Sequence, residues 1–556
     1  MTRTERAERA ATGTGLKRDV GPVGLLFAAI GSIIGSGWLF GAFNASAIAG
    51  PAAIFSWLIA GVMILLIGLT YAELGPMFPI SGGVVRYPHI VWGSFASYSL
   101  GFITWISTAA VPAIEVEGAL TYATKYAPFT EASTAGGIKV HVLTPLGILV
   151  AAILLAVFVA VNAYGVRLFA QINNVLVWWK LVVILLVVAI FIVTALAGVG
   201  GMGGPANFGS HGFAPAGLPG IFVAISTAGI VFSYLGFRQG IELAGETKNP
   251  KRNIPLAVIG ATLIAAVIYM LLQLAFTMGV QASALDKSGS WTHLSFTNDF
   301  GPLAAIATAS GLTWIAVLLY IDAVVSPADT GLVYTTIASR VSYAFGRNGN
   351  APRWLASTSG RGVPWWSLVL VYIIGLVLLL PFPSWQQLVG FITSGTVISF
   401  AAGPLTVTAL RRREPGRERT FRLPGGHVIP LLAFYSANLI VYFAGWVTNQ
   451  KLFLTIVIGY VLLLVLELIG RDAAHKPPLE FRSGWWVLPW LVLLALVSWL
   501  FDPTSHPALF GWGFLANAVL SVLIYWLAIR QGLDERQRSE HIAEAEREAA
   551  QEPAGV

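Results

Sequence analysis

The stretch AAIGSIIGSGWLFG, residues 28–41, decides the fold. Gly31, Gly35 and Gly37 stand there beside Ser32 and Ser36 inside an otherwise apolar run. Glycine in a helix interior costs about 1 kcal/mol relative to alanine, so three within seven residues weaken the helix at one place. Two readings are open: close packing through small residues, for which GSIIG has the spacing, or a broken helix. In hydrocarbon, broken backbone survives only where protein buries it or where it lines a cavity. The stretch VFSYLGFRQGIELAGETKNPKRNIP, residues 231–255, tips the balance, because it interrupts a second span five helices later. Paired Gly-interrupted helices in matching places of two halves point to the midplane site of a transporter. Five is odd, so the second copy starts from the opposite side and the repeat is inverted. Half-helix N-termini offer unpaired N–H groups to an anion, and unwound carbonyls suit a cation. A carboxylate and an ammonium together are the outline of an amino acid.

The rest of the chain fits that frame. Of 556 residues, 56% are hydrophobic and 11% charged, with a mean hydropathy of +0.75. A soluble domain has about 25% charged residues, so an ordinary globular enzyme is excluded and an all-α integral membrane protein is expected. The chain has no cysteine, hence no disulfide, thiolate metal site or thiol nucleophile. All eight histidines fall in expected loops or tails, and there is no HExxH and no P-loop, so neither catalysis, a cofactor nor a metal is expected. No repeated filter motif suggests a channel.

Apolar runs place spans near 21–48, 52–75, 95–123, 145–165, 172–198, 219–243, 254–279, 308–339, 364–381, 386–410, 428–447, 452–470, 485–501 and 508–530. This gives about fourteen transmembrane helices, or a twelve-helix core with a terminal hairpin as the fallback. The expected division is a tail at 1–20, a transport core at 21–410 with repeats near 21–198 and 219–410, helices eleven to fourteen at 411–530, and a tail at 531–556. The first twenty residues carry no apolar cleavage segment, so the first span is expected to act as the insertion signal. With the N-terminus inside, 27 of the 33 Lys and Arg residues fall on the cytoplasmic side and four (Lys125, Lys139, Lys287, Lys451) on the other. Lys180 and Arg238 lie within spans. Both termini are therefore expected in the cytoplasm, at a cell (inner) membrane, and the net charge of +7 needs no nucleic-acid partner. The polar C-terminal segment reads as a solvated tail or a short surface helix.

The stretches IGSIIGSGWLFG, YAELGPMFPISGG (71–83) and GFRQGIELAGETKNPKRNIP resemble the amino acid–polyamine–organocation transporters over about residues 20–410. That family has the five-plus-five inverted-repeat (LeuT-like) core. PAIEVEG in span three, SPADTG in span eight and the fourteen-helix layout look most like bacterial aspartate:proton symporters. The resemblance implies a secondary active transporter working by alternating access, by proton-coupled symport of an acidic or small neutral amino acid. The alternative is an amino acid/polyamine or other organic-cation exchanger of the same fold. It also implies that Gly35, Ser36 and Gly37 bind the substrate carboxylate, that carbonyls near Ile33 take the amino group, and that Phe232, with Ser233 and Gly236, caps the ligand. Many relatives carry glutamate two residues after that glycine, where this chain has Arg238. Proton-coupled relatives hold a lysine seven residues beyond an Asn-Asn pair in place of a sodium ion, which matches Asn173, Asn174 and Lys180.

Ionisable residues inside a span cost roughly 2.5–3.5 kcal/mol and usually face a cavity or a partner. Lys180 is about nine residues into its span, too deep to snorkel. Asp322, Ser326 and Asp329 share one face of span eight, and Asp329 lies at a depth that suits pairing with Lys180, so these two are the proton-coupling candidates. Glu115 and Glu117 point to different faces; Glu115 and Asp322 are the possible cavity charges. Arg238 offers a fork for a carboxylate, with Glu242 one turn on as its rival partner. Glu73 and Glu246 are expected to serve loop structure.

Overall fold

The computed structural model describes residues 20–551 except 81, 136–137, 165, 296–299, 348–349, 360–362, 383, 469–477 and 504. The N-terminal tail through residue 19, and Arg361, Arg471 and Lys476 of the charge tally, lie outside the described residues.

The apolar runs form helices because every buried or lipid-facing peptide group must bond within its own segment. Among the described residues, ten helices are long and apolar enough to cross a membrane, or eleven if the bent pair Gly217–Thr227 and Ile230–Glu242 is one span. Three further apolar helices are shorter: Pro22–Ile33, Trp365–Leu379 and Val428–Phe443. The expected fourteen is therefore not reached on length. One cause is visible at the first span, where Pro22–Ile33 stops short and Gly37–Ala49 runs through a single 3-10 turn into Ala53–Met77.

Elements of the first half pack on elements of the second. Pro22–Ile33 packs on the 3-10 segment Leu235–Arg238, Ala53–Met77 on Pro250–Gly279, Gly83–Ala123 on Thr313–Arg347, and Pro145–Tyr164 on Trp365–Leu379. Four of the five first-half elements thus meet the element five spans on, while Val166–Leu196 packs instead on Pro250–Gly279, Thr313–Arg347 and Pro22–Ile33. Gly83–Ala123 and Trp385–Phe400 are almost wholly buried and form the middle of the bundle. The outer face inverts the usual rule. Val175, Trp178, Val182 and Val193 are more than half exposed along one side of Val166–Leu196, where lipid tails replace water.

Two elements differ from the expected layout, and a third takes one of the two forms expected of it. The third helix begins at Gly83 and is kinked at Gly93, whose φ of 76° belongs to glycine. An added Cβ there would collide with the Glu480 carboxylate, which accepts a hydrogen bond from Ser94 N at 3.0 Å. Thr130–Ala135 and Ile138–Leu143 form an antiparallel hairpin in what reads as a loop. The C-terminal segment forms the helix Glu535–Gln551, which is fastened by Arg538 to Glu414 (2.6 Å) and by Arg417 to Glu546 (3.0 Å). Val20 N–H donates to Glu246 O, and Glu246 pairs with Arg340 (2.8 Å), while Arg413 donates to the Gln531 carbonyl at 2.8 Å.

Candidate functional site

The first break occupies Ile34–Ser36, between two half-helices. At the C-terminal end of Pro22–Ile33 the freed carbonyls carry partial negative charge and need donors. Lys180 Nζ donates to Gly31 O at 2.9 Å, and Tyr269 Oη donates to Ile33 O at 2.9 Å. Thr330 Oγ1 lies 3.3 Å from both Gly31 O and Ile34 O. At the N-terminal end of Gly37–Ala49 the polarity reverses, and the Ser36 N–H donates to Glu115 Oε2 at 2.6 Å. A protein cation therefore sits at one half-helix end and a protein carboxylate at the other.

Lys180 is held by more than the carbonyl. It forms a 2.6 Å ion pair with Asp329 and donates to Thr330 Oγ1 at 3.0 Å, with both charged side chains at most 1% exposed. Helix Val166–Leu196, helix Thr313–Arg347 and the end of the first half-helix are thereby joined at one ammonium. The side chain of Asn174 lies outside the described residues; Asn173 is buried.

The second interruption differs from expectation. The 49° bend falls at Ala228–Gly229, where Gly229 takes a φ of 86° against the Trp385 ring, seven residues before Gly236. Gly236 sits in the 3-10 segment Leu235–Arg238, and its absent side chain lets the backbone of Ile33 approach; a Cβ would collide with Ile33 N. Gly37 likewise faces the Ser233 hydroxyl. The two breaks thus lie directly against each other. Trp385 closes one side, donating to Ser36 Oγ at 2.8 Å and meeting Phe232 edge-on at 6.1 Å.

Between these elements lies a cavity of about 10 Å³ lined by Ile33, Glu115 and Phe232. Such a volume holds about one water molecule, so an amino acid fits only if the surrounding helices part. Sequence reasoning missed Ser32, Val111, Leu235, Thr330, Tyr334 and Thr396 in the lining. Their small polar and apolar types carry no signal until the fold brings them together.

Two charges are placed otherwise than expected. Asp322 does not line the cavity described: its carboxylate accepts from Trp38 Nε1 (3.1 Å), Trp179 Nε1 (2.8 Å) and Ser326 Oγ (2.8 Å) inside the bundle. Arg238 does not line the cavity. Its guanidinium donates to Glu242 Oε1 at 3.0 Å and Thr108 Oγ1 at 3.1 Å and lies 5.6 Å from the Phe400 ring centre. The partner one helical turn away wins because the pair forms without moving another element. Glu73 takes Arg411, Arg419 and the Leu423 N–H, and Glu246 takes Arg340, so both serve loop structure.

A buried pair of broken helices meeting at charged half-helix ends, inside an inverted repeat, defines a small-molecule carrier of the permease class. Residues 20–466 match the amino acid permease family, and the chain belongs to it. It is similar to the glutamate/serine transporter AimA of Bacillus subtilis, 35% identical over 528 residues that cover 93% of this chain and 94% of that one. The aspartate-proton symporter of the same organism is 32% identical, covering 92% and 95%. The branched-chain amino acid permease BcaP, also from Bacillus subtilis, is 26% identical, covering 80% and 92%. The protein is a multi-pass membrane permease of amino acids, and its relatives are transporters, not enzymes.

Proposed function

We propose that this permease moves an acidic or small neutral amino acid by alternating access, driven by proton symport, with both termini in the cytoplasm. The observation that carries the reading is the pair of occupied half-helix ends, Glu115 on Ser36 N and Lys180 on Gly31 O. In the proposal Glu115 holds the place of the substrate carboxylate. An arriving amino acid takes the N–H groups around Ser36, and Glu115 leaves them as it gains a proton, so substrate and proton enter together. Ile33 and Phe232 contact the ligand, while Gly35, Gly37, Ser233 and Gly236 keep the two breaks close enough to share it. Lys180 and Asp329 fix the inner end of the first half-helix and relay the change to the helices that move.

The names of the two relatives covered along nearly their whole length, a glutamate/serine transporter and an aspartate-proton symporter, support the substrate class. The 27-to-four bias of basic residues supports the orientation. Because the chain lacks cysteine, single cysteines introduced at Lys125 and Gly416 give a clean accessibility test of sidedness.

The central experiment is uptake into proteoliposomes with an imposed proton gradient and competition by aspartate, glutamate, serine, alanine and arginine. Accumulation above equilibrium with competition by the acidic and small neutral compounds is expected. Glu115→Gln keeps the acceptor for Ser36 N but cannot gain a proton, so it is expected to exchange substrate without proton-driven accumulation. Sodium-dependent uptake, or competition by arginine alone, overturns the proposal.

A further inference from the structure

The larger of the two cavities described is not the substrate site. It measures about 630 Å³ and lies between the segment following helix Ala402–Arg413 and the end of helix Phe510–Arg530. Arg411, Arg412, Arg422 and His427 line it together with the Pro424–Gly426 turn, and no carboxylate does. Arg411 is committed to Glu73 and to the carbonyls of Leu423 and Gly426, which fixes the turn. Arg412 and Arg422 are exposed and make no ion pair among the described residues. Two free guanidinium forks above a turn rich in glycine suit a phosphate or another oxyanion.

The apolar part of the lining says what carries that anion. Trp526 and Ile529 form it, and Trp526, 44% exposed, ends a row of outward apolar residues on Phe510–Arg530: Trp512, Leu515, Val519 and Leu523. These recur at helical spacing along the side that faces hydrocarbon. Val428 and Leu432 continue a second exposed apolar row down the neighbouring helix from His427. His427 lies over Trp526 with ring centres 5.8 Å apart, at the level where aromatic rings mark the edge of the hydrocarbon. A ligand that uses the whole pocket has an anionic head and apolar tails that leave along these two rows.

We propose that this pocket binds the phosphate of an anionic phospholipid from the adjoining leaflet, with Arg412 and Arg422 on the phosphate and the acyl chains against Trp526 and Val428. Basic pockets between membrane helices recognise acidic head groups in this way. Because Arg411 ties the same turn to Glu73 at the end of Ala53–Met77, bound lipid braces the loop against a core helix.

The test uses the full chain in detergent, with phosphatidylglycerol or phosphatidylcholine added, read by native mass spectrometry and by thermal unfolding. Phosphatidylglycerol is expected to remain bound and to raise the unfolding midpoint, and phosphatidylcholine to do neither. Arg412→Gln with Arg422→Gln, both at exposed positions, is expected to lower phosphatidylglycerol retention about tenfold, since bonds to charged groups are the strong ones. Trp526→Ala is expected to lower retention while leaving binding of short-chain glycerol phosphate unchanged. Equal retention of the two lipids, unchanged retention in the arginine variant, or full displacement of phosphatidylglycerol by millimolar inorganic phosphate overturns the proposal.

Discussion

Two buried ion pairs, built from similar charges, do different things in this molecule. Lys180–Asp329 joins residues 149 positions apart in sequence, on separate helices, and through Gly31 O it also grips the first half-helix. Arg238–Glu242 closes within one helical turn of a single segment. The first pair changes whenever any of three elements moves; the second closes within its own segment and reaches beyond it through the neutral Thr108 hydroxyl of Gly83–Ala123. A charge pair carries information between parts of a transporter only if it bridges parts that move separately.

The largest expected effect follows from breaking the bridging pair. Asp329→Asn leaves the Lys180 ammonium buried among neutral acceptors only, and removing one charge of such a pair costs about 3–5 kcal/mol. Proton-driven accumulation is expected to vanish and the unfolding midpoint in detergent to fall. Lys180→Gln with Asp329→Asn removes both charges, so the midpoint is expected to recover while accumulation does not. Full accumulation by the single variant would mean that the pair is structural only and that the contrast with Arg238–Glu242 fails.

A smaller effect, confined to the substrate site, is expected at the contact between the two breaks. Gly37→Val drives a side chain into Ser233 and Phe232, and overpacking of this kind typically costs about 1–3 kcal/mol. Substrate binding, followed by stabilisation on ligand addition, is expected to be lost while membrane insertion is retained. Ser233→Gly with Gly37→Ala opens the same space from the other side and is expected to restore part of the binding. Unchanged affinity in the valine variant would separate the breaks from the ligand altogether.

What could be read without coordinates was the part written in unusual residues. Three glycines in seven residues, a lysine nine residues into a span, and an aspartate at matching depth are costly in a membrane, so each announced itself and its partner. The bend at Gly229 was missed because the glycine at 236 in the same span looked like the break; only the positive φ and the Trp385 ring distinguish them. The paired strands Thr130–Ala135 and Ile138–Leu143 did carry a signal, a Gly-Gly pair in the sequence between alternating residues, but it is weak beside the hydrophobic runs. Glu115 at Ser36 N was out of reach, since nothing in PAIEVEG tells which glutamate faces which helix end.

The smallest effect is expected at the local pair, and it decides what Arg238 is for. Its fork is taken by Glu242 and Thr108, and it does not line the cavity. Arg238→Lys keeps the charge but loses the planar fork that reaches Glu242 and Thr108 together, a change of about 0.5–3 kcal/mol spread over folding and transport. Because the group braces its own segment, affinities for aspartate, glutamate, serine and alanine are expected to fall by the same factor. Arg238→Gln with Glu242→Gln replaces the ion pair by a neutral hydrogen-bonded one of similar shape and is expected to recover most of the loss. A selective loss of aspartate and glutamate in Arg238→Lys, with serine and alanine untouched, would show instead that the guanidinium leaves Glu242 for the substrate when the cavity opens. In that case the local pair would also sense the ligand, and the division between a bridging pair and a passive one would have to be drawn elsewhere.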